Sequence, residues 1–493
     1  MNRIPSFLVL AVPLTGFACR RAPDPHPLAD SSALVALIDA ASAPRMSVYG
    51  SERPTTPYLE RLAEEAVVFE DVSAAAPYTL ASVASLFTGL IPDQHRVLVA
   101  GDQLPRQNRL LAERFSEAGT RTFAVSTNAH IHPSFGFDRG IDRFEWLDPL
   151  VGQTEFHRVP ERMFEVLDEE LQGEPTRPLF GYLHLMPPHA PYDPPRALRE
   201  RFDPELVDSN LGSLANLTPL TARARRASES ERASILALYD ASMLYADGCL
   251  ERIAAQLEQA GRDEEFLFAV ISDHGEAFGE QGLYQHAGGV FETMLRVPWL
   301  MRFGDRRLAG TRVDTPVSLI DLLPTLTDLF GLDSETTGME LIGHSVVGLL
   351  PGFTSGEQAK PKDRVLFART AGPGPFSSIR RGNFKAIFAS QNKTWSLYDI
   401  RSDFYERKNL ARAQPEQLED LQGEYALALA RYRPSALRNT RIGLTPELKQ
   451  QLREIGYLDD DSPGPSIPPG QTASEKDQPN PEDDQHHQTE QDG

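Results

Sequence analysis

Three short apolar runs, each ending on a side chain that can hold a metal ion, constrain this chain more than any other feature. Ala33-Leu34-Val35-Ala36-Leu37-Ile38 stops at Asp39, and Leu179-Phe180-Gly181-Tyr182-Leu183 opens into His184. Phe266-Leu267-Phe268-Ala269-Val270-Ile271 leads straight into Ser272-Asp273-His274-Gly275-Glu276. Such runs read as buried strands, and loops at strand ends are where α/β proteins keep their chemistry. Adjacent Asp and His offer a hard oxygen and an imidazole nitrogen, a pairing suited to a divalent cation. An Asp-His pair can also cap a helix, and one short motif alone decides little. Three strand ends bearing Asp39, His184 with His189, and Asp273 with His274 are hard to attribute to ordinary core packing.

Other segments stand around these ends in a characteristic order. They include Pro54-Thr55-Thr56-Pro57-Tyr58-Leu59-Glu60-Arg61-Leu62-Ala63, Ala84-Ser85-Leu86-Phe87-Thr88-Gly89, Pro188-His189-Ala190-Pro191-Tyr192, Arg296-Val297-Pro298 and Leu397-Tyr398-Asp399. Taken together over residues 33 to 460, the chain resembles the sulfatase family of the alkaline phosphatase superfamily. That resemblance implies a large α/β domain over 33–350, an alkaline-phosphatase-like central mixed sheet between helices. A smaller C-terminal subdomain with a short antiparallel sheet would follow over 351–458. It also implies one divalent ion, Ca, Mg or Mn, held by Asp39, Thr79, Asp273 and His274. His189 and His286 resemble the family's anion-contacting or acid-base residues, while His184 and Asn128 fall where substrate contacts are made.

The nucleophile position departs from the family pattern. Sulfatases carry Cys or Ser in Cys/Ser-x-Pro-x-Arg, oxidised to formylglycine, whereas this chain reads Thr79-Leu80-Ala81-Ser82-Val83. A formylglycine hydrate has two hydroxyls, one to attack and one to expel the sulfate. Threonine has one hydroxyl and cannot follow that route. A phosphate ester can follow another, in which the alkoxide attacks phosphorus and water opens the phospho-threonine. Superfamily members that cleave or transfer phosphate groups do use threonine here. The resemblance therefore implies a sulfatase-like hydrolase of sulfate or phosphate esters, with phosphoesters favoured by Thr79 and a small anionic ester as substrate.

Each candidate has a plainer competing role. Asp39 fits a strand-end turn, Thr79 a helix N-cap, and His189 a stacked loop side chain. Glu276 and Glu280 read as surface or structural residues, Tyr78 and Trp146 as packing. The family usually shows a second acid or Thr after its early Asp, but Ala40 offers no side-chain oxygen there. Two other functions stay open on these departures: a catalytically inactive envelope protein binding an anionic sugar or lipid headgroup, and a phosphate-group transferase.

Net charge is -21 over 493 residues, which argues against nucleic acid as a partner. Residues 1–19 read as an export signal, with Ala18-Cys19 resembling the end of a bacterial lipobox. Lipidation of Cys19 would tether the protein to the cell envelope, the one membrane contact expected; otherwise it is periplasmic or secreted. Cys249 would then have no disulfide partner. Residues 20–32 form a linker, and 459–493, rich in Asp, Gln and Pro, should be a disordered acidic tail. Helices are expected over 57–67, 80–88, 107–118, 160–172 and 229–260 and after Ser318, with a strand over 122–126. Pro204 to Ser230 reads as an excursion near the site mouth. Short strands are expected over 365–369, 378–380, 384–390 and 396–398.

Overall fold

The computed structural model describes residues 27–148, 158–173, 177–286, 288–335, 340–353, 364–370, 376–432 and 441–454. The export signal with Cys19, most of the 20–32 linker and the 459–493 tail lie outside the described residues. Among the described residues, no helix is long and apolar enough to cross a membrane.

The three apolar runs are neighbouring parallel strands at the centre of an eight-stranded sheet. Ser32–Ile38 lies between Leu179–Leu185 and Phe266–Ser272, parallel to both. Outward on one side follow Arg121–Ser126 and Arg143–Trp146, both parallel. On the other side Trp299–Arg302 runs antiparallel to its two neighbours, followed by Val67–Phe69 and Thr311–Val313. The central strands are apolar throughout because both faces are covered. Ala33, Val35 and Leu37 enter one core, and Leu34, Ala36 and Ile38 the other, as the two-residue repeat of a strand requires.

Helices Thr79–Thr88, Leu111–Glu117 and Leu322–Phe330 cover the first face. Pro57–Glu65, Glu161–Leu171 and the 31-residue Glu229–Gln259 cover the second. The expected 57–67 helix stops at Glu65, because Val67 already opens the strand Val67–Phe69 of the large sheet. The 204–230 excursion contains the helix Leu214–Thr221, and Thr221 Oγ1 donates to Gln285 Oε1 at 2.6 Å, beside His286.

Strands Val365–Arg369, Phe376–Arg381, Phe384–Ala389 and Thr394–Asp399 form an antiparallel sheet in chain order. Helix Pro415–Tyr432, for which the sequence raised no expectation, packs Leu421 and Ala428 onto Ile379, Ala386 and Leu397. Its amphipathic signal is diluted by Gln and Glu at half-buried positions. The small sheet docks on the large unit through Arg369 N–H donating to Ala75 O and through buried ion pairs.

Candidate functional site

Register brings the candidate residues to one edge. Ile38 stands opposite Leu185 on one neighbour and Ser272 on the other, so Asp39 and Asp273 leave their strands at the same level. Asp39 N–H donates to Leu185 O at 2.9 Å, which carries the pairing one residue beyond the strand. Ala40 then adopts φ +58°, turning its own N–H onto Asp273 Oδ1 at 3.2 Å. The position that lacks a side-chain oxygen therefore contributes a backbone donor that joins the two acids.

Thr79 opens its helix, but Tyr78 occupies the N-cap position. The hydroxyl faces the two strand ends: Oγ1 lies 3.5 Å from Asp39 Oδ1 and 3.3 Å from His274 Nε2. The helix is held there by Ser82 Oγ donating to Asp273 O at 2.6 Å. His274 Nδ1 lies 3.0 Å from Gly275 O. A carbonyl can only accept, so Nδ1 carries the proton and Nε2 presents a lone pair toward Thr79. That nitrogen is 3.4 Å from Asp273 Oδ2 and 3.7 Å from Asp39 Oδ1.

The other oxygen of Asp39 is fully engaged. Asn128 Nδ2 donates to Oδ2 at 2.7 Å, and His184 Nε2 lies 2.9 Å from the same atom. Tyr182 O–H, 2.8 Å from His184 Nδ1, completes the chain if Nε2–H donates to Asp39. Both residues expected to contact substrate thus use these groups to orient an acid. His189 is tied through Nδ1–H to Ala190 O at 2.6 Å. Its ring centroid stands 5.0 Å from that of His286, which in turn stands 4.3 Å from His274.

One residue near the cluster drew no reading from the sequence, and another was left between two roles. His130, buried near this cluster, is pushed down to about 3 by its burial, with Asp39 opposing and His189, His286 and His274 adding to the shift. The Asn-x-His spacing after a strand was its only signal. Of the two roles read for Glu276, surface or structural, the placement fits the second: it is 1% exposed, with Tyr192 O–H on one oxygen and His286 Nδ1 on the other. Glu280 is partly exposed and bonds Arg232 at 2.7 Å. Tyr78 and Trp146 do pack, and each also donates to a backbone carbonyl.

Electrostatics makes the cluster costly as it stands. Burial alone would raise Asp39, but the charges of His189, His184 and His274 and the His184 hydrogen bond hold it well below the usual carboxylate range. Burial and the Asp39 charge push Asp273 up to about 7. Burial pushes His274 down to about 4, and Glu276 up to about 8. Asp273 Oδ2 is buried without a hydrogen-bond partner. Two acids, a hydroxyl and an imidazole lone pair facing one point hold more acceptor atoms than the single Thr79 O–H can serve, an excess that a divalent cation satisfies. Asp39, His184 and Asp273 each place a ligand-capable atom within 4.8 Å of one another. Because His184 bonds Tyr182 and Asp39, Thr79 and His274 fit better as the remaining donors. The residues present therefore fit a single metal ion.

Residues 32–332 match the Sulfatase family model. Among curated relatives, an arylsulfatase of Clostridium perfringens is 23% identical over 442 residues, covering 77% of this chain and 89% of its own. Phosphoethanolamine transferase EptA of Helicobacter pylori is 25% identical over 261 residues, covering 52% of this chain and 44% of its own. The solved structure of BT4656 with its substrate D-glucosamine-2-N,6-O-disulfate superposes with a TM-score of 0.68 at 16% identity. It covers 82% of this chain and 98% of its own. The fold, a large mixed sheet with helices followed by a four-stranded antiparallel sheet, is that of solved sulfatases.

Proposed function

We propose, from the premise that this chain belongs to the sulfatase family, that it is a metal-dependent phosphoester hydrolase in which Thr79 is the nucleophile. The observation that carries this reading is the position of Thr79 Oγ1, buried between Asp39 Oδ1 and His274 Nε2. A secondary alcohol cannot supply the second hydroxyl that sulfate expulsion from formylglycine needs. It can displace an alcohol from phosphorus. The similarity to a phosphoethanolamine transferase supports phosphorus chemistry on this scaffold.

Asp39, Thr79, Asp273 and His274 would hold the ion, which would lower the pKa of the threonine hydroxyl and draw charge from the phosphoryl oxygens. Asn128 and His184 act on Asp39, keeping one of its oxygens turned to Thr79. In the first step Thr79 gives up its proton to solvent as Oγ bonds phosphorus, the bond from phosphorus to the ester oxygen breaks, and His189 or His286 gives that oxygen a proton. In the second, water attacks the phospho-threonine from the opposite side. The same imidazole takes the water proton, the bond from phosphorus to Oγ breaks, and Thr79 recovers its hydrogen from solvent.

Purified protein assayed with aryl phosphate, phosphodiester and sulfate esters, with and without added Mg, Mn or Ca, tests the reading. Metal-dependent release from a phosphorus ester, abolished by Thr79→Ala, is expected, together with a phosphoryl group on the Thr79 peptide after acid quenching. Faster turnover of the sulfate ester, or full activity of the alanine variant, would sink it. A product that appears only with an added alcohol would mark a transferase, the second reading that the Helicobacter relative favours.

A further inference from the structure

Glu276 belongs to the same loop as Asp273 and His274, yet neither of its oxygens is directed at the Thr79 cluster by its hydrogen bonds. Oε2 accepts from Tyr192 O–H at 2.9 Å, and Oε1 lies 2.9 Å from His286 Nδ1. Tyr192 comes from the loop that carries His189, and His286 from the segment after the hairpin Ala277–Phe278 with Tyr284–Gln285. One carboxyl therefore links three loops that supply imidazoles to the pocket. The anchor is itself fixed: the Tyr192 ring packs edge-on to Tyr239 at 5.6 Å and lies 6.0 Å from Phe278.

An imidazole has two distinct nitrogens, and the bond made by one decides what the other can do. With Nδ1 held by Oε1, whichever group carries the shared proton, Nε2 is the nitrogen on the opposite edge of the ring. That ring stands between His274 and His189, with centroids 4.3 and 5.0 Å away. Truncating the carboxyl would let the ring exchange tautomers and rotate. The arrangement parallels the carboxylate that orients the imidazole of a catalytic triad without itself changing the substrate.

We infer that Glu276, anchored by Tyr192, is a positioning residue that fixes the tautomer and orientation of His286 and so presents Nε2 to the ester. Its kinetic consequence rests on the hydrolase reading above; its effect on the ring does not. The test uses full-length protein labelled with 15N-histidine, in which two-bond proton–nitrogen correlations report the tautomer of each ring and His286→Ala assigns the signal. Wild type is expected to show a single tautomer at His286, and Glu276→Ala an exchanging mixture. Tyr192→Phe, a milder change that keeps the ring in place, is expected to give the same loss in smaller degree. Where a substrate is turned over, Glu276→Ala should lower kcat about 10–100-fold with a smaller change in KM. In a His286→Ala background it should cost nothing further. An unaltered His286 signal in both Glu276→Ala and Tyr192→Phe, or an undiminished kinetic cost in the His286→Ala background, would overturn the inference. If wild type turns over no ester, the hydrolase reading fails, while the imidazole signals still decide the role of Glu276.

Discussion

At the scale of single residues, Asp273 carries a heavy electrostatic load. Its raised folded-state pKa, from an ordinary 3.8 to about 7, means that the fold favours the neutral acid, through burial first and the Asp39 charge second. The sign follows from linkage. A group raised on folding contributes stability that is whole below its unfolded pKa and is lost as pH rises through the folded value. The Asp273 contribution to the stability of metal-free protein should therefore be lost between about pH 4 and pH 7, against the gain from buried imidazoles such as His274 and His130, whose lowered pKa values act with the opposite sign. Asp273→Asn, which cannot ionise, should lack that contribution, so its stability relative to wild type should rise across this range. A bound cation requires the deprotonated acid, so added metal should raise Tm more at pH 8 than at pH 5.5. Thermal melts of both proteins, with chelator and with metal, measure all of this. Equal melting profiles for the wild type and the Asn variant across that range would contradict the assignment.

At the scale of elements, the loop from Ser272 to Glu276 depends on having no side chain at Gly275. A Cβ there would come within 2.4 Å of Thr293 O, a backbone atom that has little room to move because Glu276 N–H already bonds it at 3.1 Å. Gly275→Ala is expected to cost about 1–3 kcal/mol and to remove activity beyond what the lowered Tm explains, since the displaced loop carries both Asp273 and His274. Urea unfolding and kinetics below the melting range would separate the two effects. The same loop shows what the sequence could and could not disclose. Continuous apolar runs announced Ser32–Ile38, Leu179–Leu185 and Phe266–Ser272, and their polar ends announced Asp39 and Asp273, because strand burial and chemistry are both local signals. Partners set by long-range packing were silent. Nothing near Asn128 or His184 in sequence says that both converge on Asp39 Oδ2. Nor does a glutamate in a Gly-Glu pair betray that it is buried against Tyr192 and His286. The helix Pro415–Tyr432 escaped notice because a subdomain helix with few buried positions leaves little periodicity to read.

At the scale of the whole molecule, the question is what keeps the small antiparallel sheet seated on the large unit that bears the site. Apolar contacts contribute, with Ile91, Ile320 and Ile342 of the large unit packing among Phe367 and Ile379. Polar contacts are more telling because they are buried. Lys385 Nζ lies 2.8 Å from Glu292 and 2.9 Å from Glu406, all three within 1% exposure. Arg296 adds a 2.8 Å bond to Glu292, and Arg380 donates to Asp71 at 2.7 Å. Glu406 also accepts from Glu292 N–H at 2.6 Å, so the helix turn that opens at Glu292 is fastened to the segment after the small sheet. A buried pair is weak grounds for added stability, but removing one partner strands the other charge. Lys385→Met should therefore destabilise by about 3–5 kcal/mol, and Lys385→Met combined with Glu406→Leu by less than the single change. Because Glu292 lies six residues beyond His286, the single variant should also lose activity at temperatures where the large sheet is still folded. Differential scanning calorimetry set beside activity decay distinguishes this from global melting. A double variant no more stable than the single one would show that the charges act independently, and that apolar packing alone seats the small sheet.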